Sequence, residues 1–180
     1  MDVLWAPWRM LYINQTNTDE GCIFCTKPQH DPAQDAEQLI LYRGKHCFVL
    51  MNLYPYNTGH LLVAPYAHLA SLEALPDATA MELMRLTQRC ERALGAALNP
   101  DGFNLGVNEG KVAGAGFPGH VHLHIVPRWN GDTNFMPVIG DVKVMPEFLQ
   151  QTYAKIHAQL LPLVEAPSAE SSMPPTPAVG

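Results

Sequence analysis

The chain has 180 residues, 47% of them hydrophobic, enough for one domain with its own core and too few for two. Its net charge is −6 with eight histidines taken as neutral, and no block of Lys or Arg runs through it, which excludes a phosphate-tracking nucleic-acid surface. No segment reaches the roughly 18 apolar residues of a membrane span, and Met1 to Arg9 lacks the cationic start and apolar run of a secretory signal, so a cytoplasmic protein is expected.

An aromatic arm carrying Trp5, Trp8 and Tyr12 comes first. Leu39 to Tyr42 and His46 to Met51 read as two strands of a hairpin joined by Arg43-Gly44-Lys45. Tyr54-Pro55-Tyr56-Asn57-Thr58-Gly59 breaks the pattern before a third strand, His60 to Ala64, which Pro65 closes. Pro76-Asp77 opens a helix whose apolar positions Leu83, Leu86, Cys90, Leu94 and Ala97 recur every three or four residues, ending near Pro100-Asp101-Gly102. Phe103 to Val107 is a fourth strand. A loop from Asn108 to Gly119, carrying Gly110, Gly114, Gly116 and Gly119, leads into a fifth that Pro127 stops. Pro146 begins a last helix with Leu149, Tyr153, Ile156 and Leu160 on one side. From Glu165 the Pro-rich composition predicts a disordered tail, so residues 1–164 form one domain and 165–180 a tail. Strands interrupted by helices without strict alternation fit an α+β fold.

The fifth strand holds the densest chemistry. In His120-Val121-His122-Leu123-His124-Ile125-Val126 the period of two puts the three imidazoles on one face, about 7 Å apart along the backbone, and Val121, Leu123 and Ile125 on the other. Three readings of that row stand: exposed polar residues on an open strand, ligands of a catalytic metal, or covalent catalysis in which one ring attacks phosphorus and a neighbour serves the departing oxygen. The glycine loop beside it favours phosphate-bearing substrates, because backbone N–H groups approach an anion closely there.

The run His120 to Val126 resembles the signature of the histidine-triad nucleotide hydrolases and transferases. The resemblance extends through Trp5-Ala6-Pro7-Trp8-Arg9, Cys22-Ile23-Phe24-Cys25, Met51-Asn52, Gly59-His60, Val107-Asn108-Glu109-Gly110 and Pro127-Arg128-Trp129. The arm and the Arg128 to Asp132 segment are similar to the bacterial branch of diadenosine tetraphosphate phosphorylases. The resemblance implies a five-stranded antiparallel sheet with two helices, a homodimer, and a bound nucleoside mono- or polyphosphate. It makes His122 the nucleophile, with His124 contacting phosphate and assisting the leaving group and His60 lining the same pocket. It places Asn52 at the ribose, Asn108 at phosphate, and Ile23, Phe24, Leu50 and Leu53 at the base. Ala115-Gly116-Phe117-Pro118 stands where many relatives carry Gln or Ser, so backbone amides around Gly116 take over phosphate contact.

Cys22 and Cys25 have the two-residue gap that lets both thiolates meet one tetrahedral ion. A redox dithiol would need a helix start after a strand in a βαβ setting. The resemblance adds His68 and His120, giving a structural zinc site of Cys22, Cys25, His68 and His120. His30, His46 and His157 are expected to be solvated, and Cys47 and Cys90 to be small core residues.

Overall fold

A computed structural model describes residues 21–133 and 145–165. The aromatic arm, with Trp5, Trp8 and Tyr12, and the tail beyond Glu165 lie outside the described residues. Five strands form one antiparallel sheet: β1 (Ile40–Arg43), β2 (Cys47–Met51), β3 (Leu61–Pro65), β4 (Gly102–Val107) and β5 (Leu123–Arg128), in the order β1-β2-β3-β5-β4. Two single-turn helices, α1 (Ile23–Thr26) and α2 (Asp35–Gln38), precede the sheet. Two long ones follow, α3 (Asp77–Leu98) between β3 and β4, and α4 (Leu149–Glu165) after β5.

Alternation along the central strands sorts the apolar residues into two layers. Val49, Met51, Leu61, Val63, Val121, Leu123 and Ile125 pack with Leu83, Leu86, Cys90 and Leu94 of α3 and Tyr153, Ile156 and Leu160 of α4. Phe48, Leu50, Leu62 and Ala64 point the other way, where Ile40 and Phe24 of α1 join them. Cys47 and Cys90 are fully buried, as expected of small core residues. The Tyr153 hydroxyl ties α4 to the sheet edge by donating to the Ile40 carbonyl at 2.8 Å, beside a register shift in the β1–β2 ladder.

The β1–β2 turn is closed by the Gly44 N–H on the Cys47 carbonyl at 2.8 Å, and Glu82 of α3 accepts from the Lys45 and His46 N–H groups at 2.7 and 2.6 Å. A Cβ at Gly44 would meet Glu82 Oε1 at 2.4 Å and the Cys47 carbonyl at 2.7 Å, so only glycine fits. α3 ends at Asn99, which adopts a left-handed φ of 48°.

Several boundaries differ from the sequence reading. Pro127 does not stop β5, which continues to Arg128 with Pro127 opposite Phe103 of β4. β3 pairs with β5 no further than Ile125, and the Pro127 carbonyl is taken by the Asn57 side chain at 3.1 Å, so proline's missing N–H interrupts no ladder bond. The last helix starts at Leu149, three residues after Pro146, because the Phe148 carbonyl is the first to accept helical N–H groups, from Gln151 and Thr152. It runs through Glu165, which the composition had assigned to the tail; Val164 is buried against the core and holds that last turn in place.

Candidate active site and metal cluster

β5 begins only at Leu123, so His120 and His122 stand in an extended approach held by the Val121 N–H on the Leu69 carbonyl at 2.6 Å. The alternation nonetheless persists, with Val121 in the helix-covered core while the three imidazoles share the opposite face. The rings lean together: His122 and His124 have centroids 4.8 Å apart, closer than the backbone spacing of a flat pleat. Phe24 lies 4.5 Å from the His122 ring and 5.1 Å from His120, with Phe117 edge-on to it at 5.6 Å.

Each imidazole is oriented by an unambiguous partner. His122 Nδ1–H donates to the His120 carbonyl at 2.8 Å, which leaves the lone pair on Nε2. Burial holds the His122 imidazole below its ordinary pKa, outweighing the carbonyl bond that acts the other way, which favours the neutral ring. His60, fully buried, meets His124 Nδ1 through Nε2 at 3.0 Å, while its own Nδ1 accepts from the Tyr56 N–H at 3.0 Å. Asn52, also buried, accepts from the Tyr54 N–H through Oδ1 and turns Nδ2 toward His60 Nδ1 at 3.3 Å.

Leu50 and Phe24 belong to the apolar layer beneath the imidazoles and are almost wholly covered, whereas Ile23 is partly exposed. Leu53 is 52% exposed and belongs to neither core cluster. Asn108 and Gly116 are half-buried on either side of a short 3-10 turn, Lys111–Ala113, in the glycine loop.

Sequence reasoning missed Tyr56, whose ring lies 4.7 Å from His60 and is stacked on His124 at 5.7 Å. The available signal was an aromatic and an amide directly before Thr58-Gly59-His60. It also missed the clamp behind them: Asp132 takes Arg128 Nε at 2.6 Å, Asn57 Nδ2 at 2.8 Å and the Trp129 N–H at 3.1 Å. Arg128 holds the Asp132 carboxyl down at about 2. A cavity of about 290 Å³ opens beside Tyr56, lined by Asn57, Asn104, Val126, Arg128 and Asp132. Trp129, which the sequence left unassigned, donates its indole N–H to Asn99 at the end of α3. His30 is exposed, His46 is half-buried, and His157 is half-buried with its ring stacked on Tyr153.

Apart from these lies a cluster in which one ligand atom from each of Cys22, Cys25, His68 and His120 lies within 4.8 Å of all the others. Sγ of Cys22 is 3.3 Å from His120 Nδ1, Sγ of Cys25 is 3.2 Å from His68 Nδ1 and 3.6 Å from His120 Nδ1, and the two Nδ1 atoms are 3.3 Å apart. Zinc bonds of about 2.3 Å to sulfur and 2.0–2.1 Å to nitrogen give tetrahedral edges of roughly 3.3–3.8 Å, so the donor set fits a four-coordinate ion. His120 Nε2–H donates to the Pro65 carbonyl at 2.9 Å, turning Nδ1 toward the thiols, as a metal-bound imidazole requires. Gly119 passes so near that a Cβ there would meet His68 Nε2 at 3.2 Å. Cys22 caps a single helical turn, yet the sheet is antiparallel and no described strand precedes the motif, which removes the βαβ setting of a redox dithiol.

A model of the HIT domain matches residues 33–131. The chain belongs to the HIT family. An AP-4-A phosphorylase of Mycobacterium tuberculosis is 40% identical over 154 residues, 83% of this chain and 79% of that protein. Among solved structures, a Zn-bound histidine triad family protein from Mycobacterium smegmatis superposes with a TM-score of 0.63 at 29% identity, covering 82% of this HIT chain and 98% of its own. Plasmodium falciparum diadenosine triphosphate hydrolase, at 19% identity and a TM-score of 0.52 over 71% of this chain and 78% of its own, shares the fold.

Proposed function

We propose that this protein transfers a nucleotidyl group from a dinucleoside polyphosphate, such as diadenosine tetraphosphate, to water or phosphate through a nucleotidyl-His122 intermediate. The observation that carries the reading is the His122 bond to the His120 carbonyl, which presents a neutral Nε2 lone pair beside His124. Nε2 attacks the α-phosphorus, the P–O bond to the departing polyphosphate breaks, and the His120 carbonyl stabilises the charge that develops on the ring. His124, backed by His60, meets the phosphate and assists the leaving group. Asn52 holds the ribose, while Asn108 and backbone amides near Gly116 hold phosphate. Ile23 and Leu53 are exposed enough to touch a base, with Phe24 and Leu50 supporting them from below. The cavity beside Tyr56 offers room for the departing half. The 40% identity to an AP-4-A phosphorylase supports the substrate class.

Zinc suits Cys22, Cys25, His68 and His120, and the Zn-bound relative supports that choice. Its role is structural: it pins α1 and Phe24 against the approach to β5. A metallohydrolase with the ion held by the triad itself is disfavoured because His120 turns away from His122 and His124 toward the thiols. β4 is an edge strand with Leu105 47% exposed, a surface suited to pairing with a second copy in a homodimer. No described helix is long and apolar enough to cross a membrane, and none of the four cysteines is in a disulfide, in keeping with a cytoplasmic protein.

The test is incubation with diadenosine tetraphosphate, with and without inorganic phosphate, and mass analysis of the products. A nucleoside diphosphate formed only with phosphate marks phosphorolysis, and a monophosphate marks hydrolysis. His122→Gln is expected to lower turnover by at least about 10³-fold while leaving the metal content intact. Loss of metal and activity together would establish the metallohydrolase, and nucleotide binding without turnover would leave only a binding module.

A further inference from the structure

We infer that the cavity on the imidazole face beyond His124 seats the second nucleoside of a dinucleoside polyphosphate, and that the phosphates reach it across the bare backbone of Gly106. The inference rests on the nucleotidyl-transfer reading above and deepens it. The departing half gains a binding site of its own, made by residues outside the histidine row, with Gly106 and Asn104 setting the preference for dinucleotides.

The strand register lays out the path. Side chains at every second position share a face, so Val126 and Arg128 continue the side of β5 that carries His124. Across the ladder, β4 sets Gly106 opposite His124 and Asn104 opposite Val126, and directly opposed residues project to the same face. Beside His124 the neighbouring strand therefore presents no side chain. A Cβ at Gly106 would meet nothing within 4 Å, so the space above it is open. Asn108, proposed for phosphate, follows Gly106 by two residues, and Asn104 precedes it by two. The phosphates between the attacked phosphorus and the second ribose thus have a backbone floor that leads toward Asn104.

The cavity lies at the end of that path. Its volume of about 290 Å³ stands at the lower end of small-molecule sites, roughly 300 Å³, and suits one nucleoside, not a whole dinucleotide. The lining carries one cation and one anion, and they are paired. Asp132 takes Arg128 Nε at 2.6 Å and Nη2 at 2.8 Å, while Arg128 Nη1 donates to Asn104 Oδ1 at 2.7 Å. A phosphate finds no uncompensated charge there. A neutral heterocycle finds surfaces on which it stacks: the guanidinium is held in one plane, the Tyr56 ring stands stacked on His124 at 5.7 Å, and Val126, 8% exposed, gives an apolar floor. The Asn57 and Asn104 amides edge the cavity with hydrogen-bonding groups. Val126 is two residues, about 7 Å, beyond His124. A leaving group with several phosphates before its base crosses that gap, and a short one stops over Gly106.

Stacking one base contributes on the order of 5- to 150-fold in affinity. The test is calorimetric titration of the full chain carrying His122→Gln, which cannot form the N–P bond. Its ligands are diadenosine tetraphosphate and adenosine 5′-tetraphosphate, which has the same phosphates and lacks the second nucleoside. The dinucleotide is expected to bind at least about tenfold tighter. Asn104→Trp, at an exposed strand position that accepts a large ring, places an indole where the base would lie and is expected to bring the ratio within about threefold. A ratio below tenfold before that change, or above threefold after it, overturns the inference.

Kinetics test the path with His122 in place. Gly106→Val, whose Cβ meets nothing and whose branched side chain suits a strand, is expected to lower kcat/KM for diadenosine tetraphosphate at least about tenfold more than for the p-nitrophenyl ester of adenosine 5′-phosphate. The leaving group of that ester carries no phosphate chain. Equal losses overturn the inference. Turnover of neither compound by the unaltered chain refutes the nucleotidyl-transfer reading instead, and the titrations then decide the second seat on their own.

Discussion

His68→Ala separates a bound metal from a cluster of idle side chains. His68 is exposed on the turn after β3, where it touches Cys25 Sγ, the His120 ring and the close pass of Gly119. Burial alone therefore assigns the substitution a cost inside about 0.5 kcal/mol, as for other surface changes. A metal ligand is different. Removing one of four donors from a site weakened by two to three orders of magnitude costs about 3–4 kcal/mol at about 1.4 kcal/mol per decade, since ion affinity is folding free energy here. For a chain of this size that lowers Tm by about 6–16 °C. The assay is thermal unfolding of wild type and variant, each with metal content measured before and after chelator. Wild type is expected to carry about one equivalent and to fall toward the variant when stripped. A wild type that carries no metal as purified, is unmoved by chelator and melts within 1–2 °C of the variant, the shift that about 0.5 kcal/mol would produce, refutes the site.

Two further outcomes follow from particular contacts. Glu82→Ala strips the acceptor from two turn N–H groups and should cost about 1–2 kcal/mol in a urea melt, whereas a neutral result would mean water replaces the carboxylate fully. Asp132→Asn reports on acid stability. Arg128 depresses the folded carboxyl from an ordinary 3.8 to about 2, so its contribution is fully present above pH 4 and fades as pH falls through about 2. The stability gap between wild type and variant should be level above pH 4 and shrink below it, and a gap unchanged down to pH 2 would contradict the ion pair.

The strands were legible because their apolar runs end at residues that resist pairing. Arg43-Gly44-Lys45, Tyr54 to Gly59 and Pro65 marked the limits of β1 to β3 within a residue or two. Pro127 misled, since its effect depends on whether a neighbouring strand reaches its N–H side, and β3 stops short of it. The α3 stripe was readable from its period instead: Leu83, Leu86, Cys90 and Leu94 recur at helical spacing and all pack into one core. In the site, the imidazole row and the four metal donors could be named, the latter only through resemblance, because their separations in sequence reach 98 residues. Tyr56, Asn57 and Asp132 carry no periodic signature. Their importance comes from a loop folding back on β5, a tertiary fact.

Alternation explains which face the three histidines share, but not what each does. That is decided by single carbonyls and N–H groups outside the alternating pattern. Pro65 takes the His120 Nε2–H and frees Nδ1 for the thiols. The His120 carbonyl takes the His122 Nδ1–H and frees Nε2. His60, itself fixed by the Tyr56 N–H, supplies a proton to His124 Nδ1 and thereby assigns the last ring. In the proposed reading, three identical side chains on one extended run become a ligand, a nucleophile and a phosphate contact through the hydrogen bonds made by the other nitrogen of each. A substitution that left the row intact but moved one of those partners would alter the chemistry with no change in the motif.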